Sequence, residues 1–354
     1  MSTPTRPSTP ASTAQPVEAS TTPNVDSAAQ PVDDVDVVIV GGGPTGLAAA
    51  IALARSLRSV LVIDSGTPRN AGSAHAHNVL GHEGIDPAAL LAAGRQEAVG
   101  YGVRFAAAEA THAASGAEGV TLDLADGQRI RARALLLATG VRDRLPDIPG
   151  LADAWGASVL HCPYCHGYEM RGQRIGVLAT SPLSAHQALL FRQLSADVTV
   201  FLHAGPEVLG AEAQLLTARG VRLVDAQVSA VLTESCRADG HPVQEGRAQV
   251  TGVQLADGSV HALDALVVAP VGEPRAELFE QLGGTLAEHP AGRFIPVGPM
   301  FDTGIQHVWA AGNITDLRAM VVSSAGAGLS AAAAINASLA TAEAHAALAA
   351  QPAG

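Results

Sequence analysis

Two cysteines three residues apart stand in the stretch His161-Cys162-Pro163-Tyr164-Cys165-His166-Gly167-Tyr168-Glu169. At that spacing two thiols can close a small redox disulfide. If the pair opens a helix, the partial positive charge at the helix N-terminus lowers a thiolate pKa. A Cys-x-x-Cys is also half of a zinc site, but no second pair exists, and Cys236 stands alone in a polar stretch about 70 residues further on. His161 and His166 flank the pair too closely for all four groups to converge comfortably on one ion. No metal is therefore expected, and Cys236 is given no role. His166 follows Cys165 directly. Imidazole titrates near neutrality, which suits it to shuttle a thiol proton, the alternative being an ordinary surface histidine. Glu169, one turn later, is placed to orient or charge-stabilise it.

A second constellation lies near the start of the ordered sequence. Gly41-x-Gly43-x-x-Gly46 follows the β-branched run Asp36-Val37-Val38-Ile39-Val40 and opens an Ala/Leu-rich stretch. Glycines at this spacing allow a tight turn, close approach of a pyrophosphate, and close helix–strand packing. Pro44 and Thr45 complete the turn at the helix start, whose free N–H groups favour an anion. Asp64 lies 18 residues past Gly46, at the end of the strand Val60–Ile63, where a carboxylate can accept from ribose hydroxyls.

The elements that must carry these residues can be read from pattern. Order is expected from Val35, with a strand, a helix from about Thr45 to Arg58, and the strand Val60–Ile63, a right-handed βαβ unit. Ala134 to Ala138 is another buried strand. Ile175 to Ala179 opens a second βαβ unit, with a helix over Leu183–Leu194 and a strand over Val198–Leu202. Ala125-Asp126-Gly127 and Ala256-Asp257-Gly258 are hairpin signals at matching places in the two halves. The stretch from about Ser323 to Ala347 is an Ala-rich helix with Ser, Asn, His and Glu, read as no membrane span. Residues 1–33, rich in Ser, Thr, Pro and Ala without an apolar core, are read as a disordered tail with no signal peptide.

Composition narrows the classes. The chain has 354 residues and a formal net charge of −12, and all 21 of its Lys+Arg residues are arginine. Without lysine, Schiff-base, P-loop and Ser-Lys chemistry are excluded. No basic stripe is present, so nucleic acid and anionic membrane are poor partners. Three cysteines are too few for a disulfide-stapled secreted domain, and a cytoplasmic location is expected.

With these motifs in hand, the chain resembles the two-dinucleotide-fold flavoprotein disulfide reductases. Ala138-Thr139-Gly140 ends a strand as in their second FAD-contacting turn. Val308-Trp309-Ala310-Ala311-Gly312-Asn313 resembles their C-terminal flavin motif, with Asn313 where the family has Asp. Asn78 sits where the family places a flavin-contacting Asn. The cysteine pair's position is similar to that of low-molecular-weight thioredoxin reductases. The resemblance implies an α/β fold of pyridine nucleotide-disulfide oxidoreductase type: two Rossmann-like, three-layer dinucleotide-binding domains, the second inserted in the first. Residues 34–148 plus 273–347 would form a discontinuous FAD-binding domain and 149–272 the insert carrying the redox pair. It implies FAD as cofactor, a homodimer, Cys165 as the thiol nearer the flavin, and Cys162 as the thiol that exchanges with substrate sulfur. The family has Asp directly after the second cysteine; here that residue is His166.

In thioredoxin reductases the insert binds NADPH through a second glycine triplet and a basic run after the next strand. Here the triplet falls on Ala179-Thr180-Ser181, followed by Pro182, and the basic run on Leu202-His203-Ala204-Gly205. The expectation is a degenerate pocket, which leaves NADPH a doubtful cofactor. Electrons would then run outward, from a small-molecule dithiol through the pair to FAD and O₂. The octapeptide Cys162 to Glu169 is similar to that of the dithiol oxidases of gliotoxin- and holomycin-type pathways. The alternatives are a thioredoxin reductase-like enzyme fed by NAD(P)H or a ferredoxin, with a thioredoxin-like partner, and a flavin redox sensor that does not turn over.

Overall fold

The computed structural model describes residues 34–234 and 248–351. The expectations for residues 1–33 and for Cys236 lie outside the described residues. Among the described residues, seven α-helices run α1 Pro44–Arg55, α2 Pro87–Gly100, α3 Pro163–His166, α4 Leu183–Leu194, α5 Glu212–Ala218, α6 Glu277–Gln281 and α7 Val321–Ala349.

The first parallel sheet is built around the strand Asp34–Val40. Its Val37, Val38 and Ile39 are fully buried, because helices and a hairpin layer cover both faces of the sheet. Val60–Ile63 pairs with it in parallel, Val37 opposite Val60. Arg129–Leu137 pairs on the other side, with Ile39 opposite Leu136. Arg104–Ala106 extends one edge, and Val308–Ala310 from the far end of the chain joins Arg129–Leu137 in parallel. The sequence hairpin at 125–127 is present, joining Gly119–Leu124 to Arg129–Leu137 antiparallel. One face of this sheet packs against α1 and α7 through Ala49, Ala50, Leu53, Ala331 and Ile335; the other, with Val38, Leu61, Leu122 and Leu135, packs against Leu278 and Phe279 of α6.

The second sheet is wholly parallel, ordered Arg222–Val224, Val198–Phe201, Ile175–Leu178, Ala265–Val268, Val159–Leu160. Helices α4 and α5 cover one face through Ala188, Phe191 and Leu216. The antiparallel strands Val228–Glu234, Gln249–Leu255 and Val260–Ala262 cover the other, and the hairpin at 256–258 joins the last two. The chain crosses between the two sheets twice, on Val141–Arg144 and Val271–Pro274, which pair antiparallel and are tied by Arg144 and Glu273 at 2.6 Å. Each sheet with its two covering layers is a Rossmann-like unit.

The helices depart from the sequence reading at their ends. Helix α1 stops at Arg55 rather than Arg58, because Leu57 takes a left-handed φ of 61° and turns the chain toward Ser59. Helix α7 starts two residues earlier than expected, where the Ser323 hydroxyl accepts from the Met320 N–H at 2.8 Å. Helix α7 is long and apolar enough, by length and composition, to cross a membrane, with mean hydropathy 1.2. Its buried stripe lies on α1, where a Cβ at Gly328 would strike the Thr45 carbonyl oxygen. An acidic and basic cluster locks its C-terminal half to the first sheet. Glu343 receives hydrogen bonds from both Arg58 and Arg133, and Arg133 also binds Asp36 at 2.8 Å.

Candidate active site

The glycine turn sits at the carboxyl end of the first sheet, where α/β folds place ligands. Gly41 takes φ 112°, and a Cβ there would lie 2.3 Å from the Ala138 carbonyl oxygen. Both facts demand glycine, and together they bring the turn against Ala138-Thr139-Gly140. Gly43 faces open space and caps α1 without any side-chain hydrogen bond, so the first-turn N–H groups of α1 face the opening. Gly46 lies against the Gly41 carbonyl, and Gly312 lies against the Thr45 hydroxyl. The three segments that the sequence singled out, 41–46, 138–140 and 312–313, thus converge, with Asp64 beside Gly42.

From this turn a cavity of about 1240 Å³ runs to the cysteine pair. Gly41, Gly43, Pro44, Thr45, Asp64, Ala138, Thr139, Gly140 and Asn313 line it, as do Cys162, Cys165 and His166. Its walls fit a dinucleotide: a glycine turn with open N–H donors, a carboxylate at the next strand end, and Arg275, whose buried Nε has no partner. Asn313 donates through Nδ2 to the carbonyls of Asp316 and Ala319, at 3.1 and 2.8 Å. An aspartate could make neither bond. Asn313 therefore holds its own loop closed while its carbonyl oxygen remains the group that can accept from a ligand hydroxyl.

The cysteines sit where the pattern placed them, at the start of a helical turn. Cys162 is the N-cap of α3 and Cys165 lies within it; both thiols are free and half-buried. The Cys165 thiol donates to Cys162, and the Tyr164 and Cys165 backbone N–H groups also face the Cys162 sulfur. Together these overcome burial and lower the Cys162 thiol to about 7. Cys165, as donor to its neighbour, is pushed well up by that bond and by burial. In the reduced pair Cys162 is therefore the thiol that ionises first, held by the thiol of Cys165.

Glu169 meets the sequence reading through its charge and not through a direct bond. Its carboxylate is 3.6 Å from His77 Nε2, and no hydrogen bond joins it to His166; its field still favours protonation of that imidazole. His166 points inward, its Nε2 buried and unpartnered, and burial with His77 nearby lowers its pKa. Asn78 is engaged within the protein. It is not among the residues lining the cavity; held at φ 59°, it donates to the Tyr164 carbonyl at 2.7 Å and staples the 75–85 loop onto α3. His77 in that loop binds exposed Glu83 at 2.7 Å and packs edge-on to His166.

Sequence reading missed several groups around the pair. Arg69 makes a two-pronged bond to Asp143, at 2.8 and 2.6 Å, and its charge lowers both cysteine pKa values. His161 stacks on Trp155, and burial keeps it neutral by lowering its pKa to about 4. Neither Arg69, in a loop, nor Asp143, on the strand Val141–Arg144, carries a motif; only their meeting across 74 positions gives them a place.

In the insert, the turn before α4 departs from a phosphate cradle. Thr180 Oγ1 and Ser181 Oγ are buried without partners where glycines would leave bare backbone. The Ser184 hydroxyl already accepts from the Thr180 N–H. After the next strand, His203 accepts from the Val228 N–H.

Comparison with known proteins places the chain. The family profile of pyridine nucleotide-disulphide oxidoreductases matches residues 35–335. The chain belongs to that family. The family binds FAD, and its members of this kind are oxidoreductases acting on sulfur groups. Thioredoxin reductase tcpT of Claviceps purpurea is 36% identical over 79% of this chain and 86% of its own. The crystal structure of HlmI superposes with a TM-score of 0.81 at 39% identity, covering 89% of this chain and 95% of that one. An oxidoreductase from Agrobacterium tumefaciens gives a TM-score of 0.78 at 33% identity, covering 87% and 99%. These relatives are of the thioredoxin reductase-like kind that the position of the cysteine pair implied.

Proposed function

We propose that the protein is an FAD-dependent dithiol oxidase that closes a disulfide in a small-molecule substrate through Cys162 and Cys165, with O₂ as terminal acceptor. The division into a FAD domain of 34–148 plus 273–347 and an insert of 149–272 belongs to this reading, and the two separate parallel sheets support it. The observation that carries it is the insert's nucleotide end: buried hydroxyls replace the glycines, and His203 is spent on backbone. The neighbouring Arg222 is engaged with Asp197 and Thr199, and Arg192 with two carbonyls. A phosphate contact from arginine contributes roughly 1.5–3 kcal/mol, so two missing contacts weaken NADPH by several orders of magnitude.

Gly41, Gly43, Pro44, Thr45, Gly46, Asp64, Thr139, Gly140 and Asn313 would hold FAD, which when bound supplies the two-electron acceptor for the dithiol pair and delivers those electrons to O₂. The chain's own chemistry is thiol exchange. With the pair oxidised, one substrate thiolate attacks the Cys162 sulfur, the Cys162–Cys165 bond breaks, and Cys165 leaves as thiolate. The second substrate thiolate attacks the sulfur joined to Cys162. The substrate disulfide forms, and Cys162 leaves as thiolate; the substrate has lost two electrons and two protons, and the pair has gained two electrons. A Cys162 thiol near 7 makes this last departure easy, since a lower-pKa thiolate leaves faster. His166, neutral and with Nε2 turned inward, accepts one of the released protons.

A second reading, inward flow from NAD(P)H or a ferredoxin toward a thioredoxin-like protein, draws on the names of the curated relatives. Oxygen uptake separates them. The holoenzyme should consume O₂ with a dithiol alone and lose this in Cys162→Ser and Cys165→Ser; uptake unchanged in either variant, or absent in the unmodified protein, contradicts the proposal.

A further inference from the structure

Gln187 on α4 carries an interaction that the thiol chemistry does not use. Its Nε2 donates to the His161 carbonyl at 2.8 Å and to the Val268 carbonyl at 3.3 Å. Two carbonyl acceptors on one side fix the amide, so the opposite atom is the acceptor Oε1. That oxygen is buried and has no hydrogen-bond partner, while the residue lines the cavity that reaches the cysteines. Buried acceptors are seldom left unpaired. Its first anchor, His161, is the residue immediately before Cys162, so the orphan oxygen is tethered to the reactive turn.

The surroundings say what can pair with it. Trp155, Leu183, Leu190 and Pro270 give this end of the cavity apolar walls. His161 is stacked and neutral, so no fixed positive charge is supplied there by that ring. Gln187 lies at the carbonyl ends of Val159–Leu160 and Ala265–Val268 in the second sheet, whereas the glycine turn belongs to the first.

We propose that Gln187 Oε1 is the specificity acceptor for the substrate, taking a hydrogen bond from an N–H or hydroxyl that the dithiol carries. This rests on the dithiol-oxidase reading above. An acceptor fixed by two bonds and shielded from water discriminates strongly, because a substrate without a donor leaves it unpaired.

The test uses the FAD-loaded enzyme, O₂ uptake, and two substrate pairs. The first is N,N'-ethylenebis(mercaptoacetamide) against its N,N'-dimethyl counterpart; the second is dithiothreitol against 1,4-butanedithiol, which differ only in two hydroxyls. The donor-bearing member of each pair should show kcat/KM roughly ten- to a hundredfold higher. In Gln187→Met both ratios should fall to near one. Ratios near one in the unmodified enzyme, or ratios unchanged in Q187M, overturn the assignment. So does loss of bound FAD in Q187M with the donor preference intact, which would place Gln187 on the cofactor. Should Q187M not fold, the hydroxyl pair in the unmodified enzyme decides, since it adds no bulk. If no dithiol in the set is oxidised, the functional reading falls and this proposal with it; oxidation of all four without preference removes this proposal alone.

Discussion

The Cys162 thiolate depends first on its neighbour. The largest cause of its lowered pKa is the hydrogen bond from Cys165, followed, among the favourable contributions, by the Tyr164 and Cys165 backbone N–H groups and then Arg69. Replacing Cys165 with Ala removes the thiol donor and leaves the backbone donors in place. The Cys162 thiol, at about 7 in the reduced pair, should then rise toward the ordinary thiol range near 8.5. At pH 7 a group of pKa 7 is about half thiolate, and one of pKa 8.5 about 3%, so the reactive fraction falls by roughly fifteenfold. The residual backbone bonds make that an upper figure. The assay is iodoacetamide alkylation against pH in a Cys236→Ala background, so that Cys162 is the titrating thiol in the variant and the low-pKa one in the parent. Thiolate absorbance in the ultraviolet gives an independent midpoint. An alkylation midpoint unchanged near 7 in the Cys165→Ala variant would refute the reasoning, because it would mean that the backbone alone sets the thiolate.

Other outcomes follow from the same contacts. Gly41→Ala should abolish FAD retention or folding, because the Cβ would meet the Ala138 carbonyl oxygen at 2.3 Å with φ at 112°; a variant with normal flavin content and melting temperature contradicts this. His166→Gln should slow the dithiol half-reaction about a hundredfold and flatten its pH profile on the acid side of neutrality, where burial puts this imidazole, while thiol alkylation stays fast; an unaltered profile removes His166 from proton transfer. The Glu343 carboxylate, held to about 2 by Arg58 and Arg133, contributes stability that is complete above its unfolded pKa near 4.5 and is lost as pH falls toward 2. The melting temperature of Glu343→Gln should therefore lie below that of the parent at pH 6, and the gap should close on acidification through that window. A gap independent of pH would show that the carboxylate's charge is not what holds α7.

The Rossmann-like units were legible because their signals are local. The run Val37–Val40 before Gly41 can only be a buried strand feeding a tight turn, and helix α4 falls on the span expected for it, Leu183–Leu194. Gly41, Thr139 and Asn313 were legible for the same reason, each at the end of a strand with a recognisable pattern. What escaped were pairings made by loops. Glu169 is one helical turn from His166, so spacing suggested they meet, yet α3 is a single turn and the chain leaves it before that geometry is established; Glu169 instead faces His77. The left-handed backbone of Asn78, held by Glu83, aims its amide nitrogen at the Tyr164 carbonyl, a partner that no motif announces. Arg69 with Asp143 and Gln187 with His161 carry no motif, and only tertiary folding brings them together.

The central claim is the direction in which electrons enter. The direct measurement is anaerobic stopped-flow of the oxidised, FAD-loaded enzyme, following flavin absorbance after mixing with a dithiol and, separately, with NADPH. The account predicts rapid bleaching by the dithiol, none by NADPH on the same timescale, and hydrogen peroxide formed on readmission of air. Rapid bleaching by NADPH would contradict it.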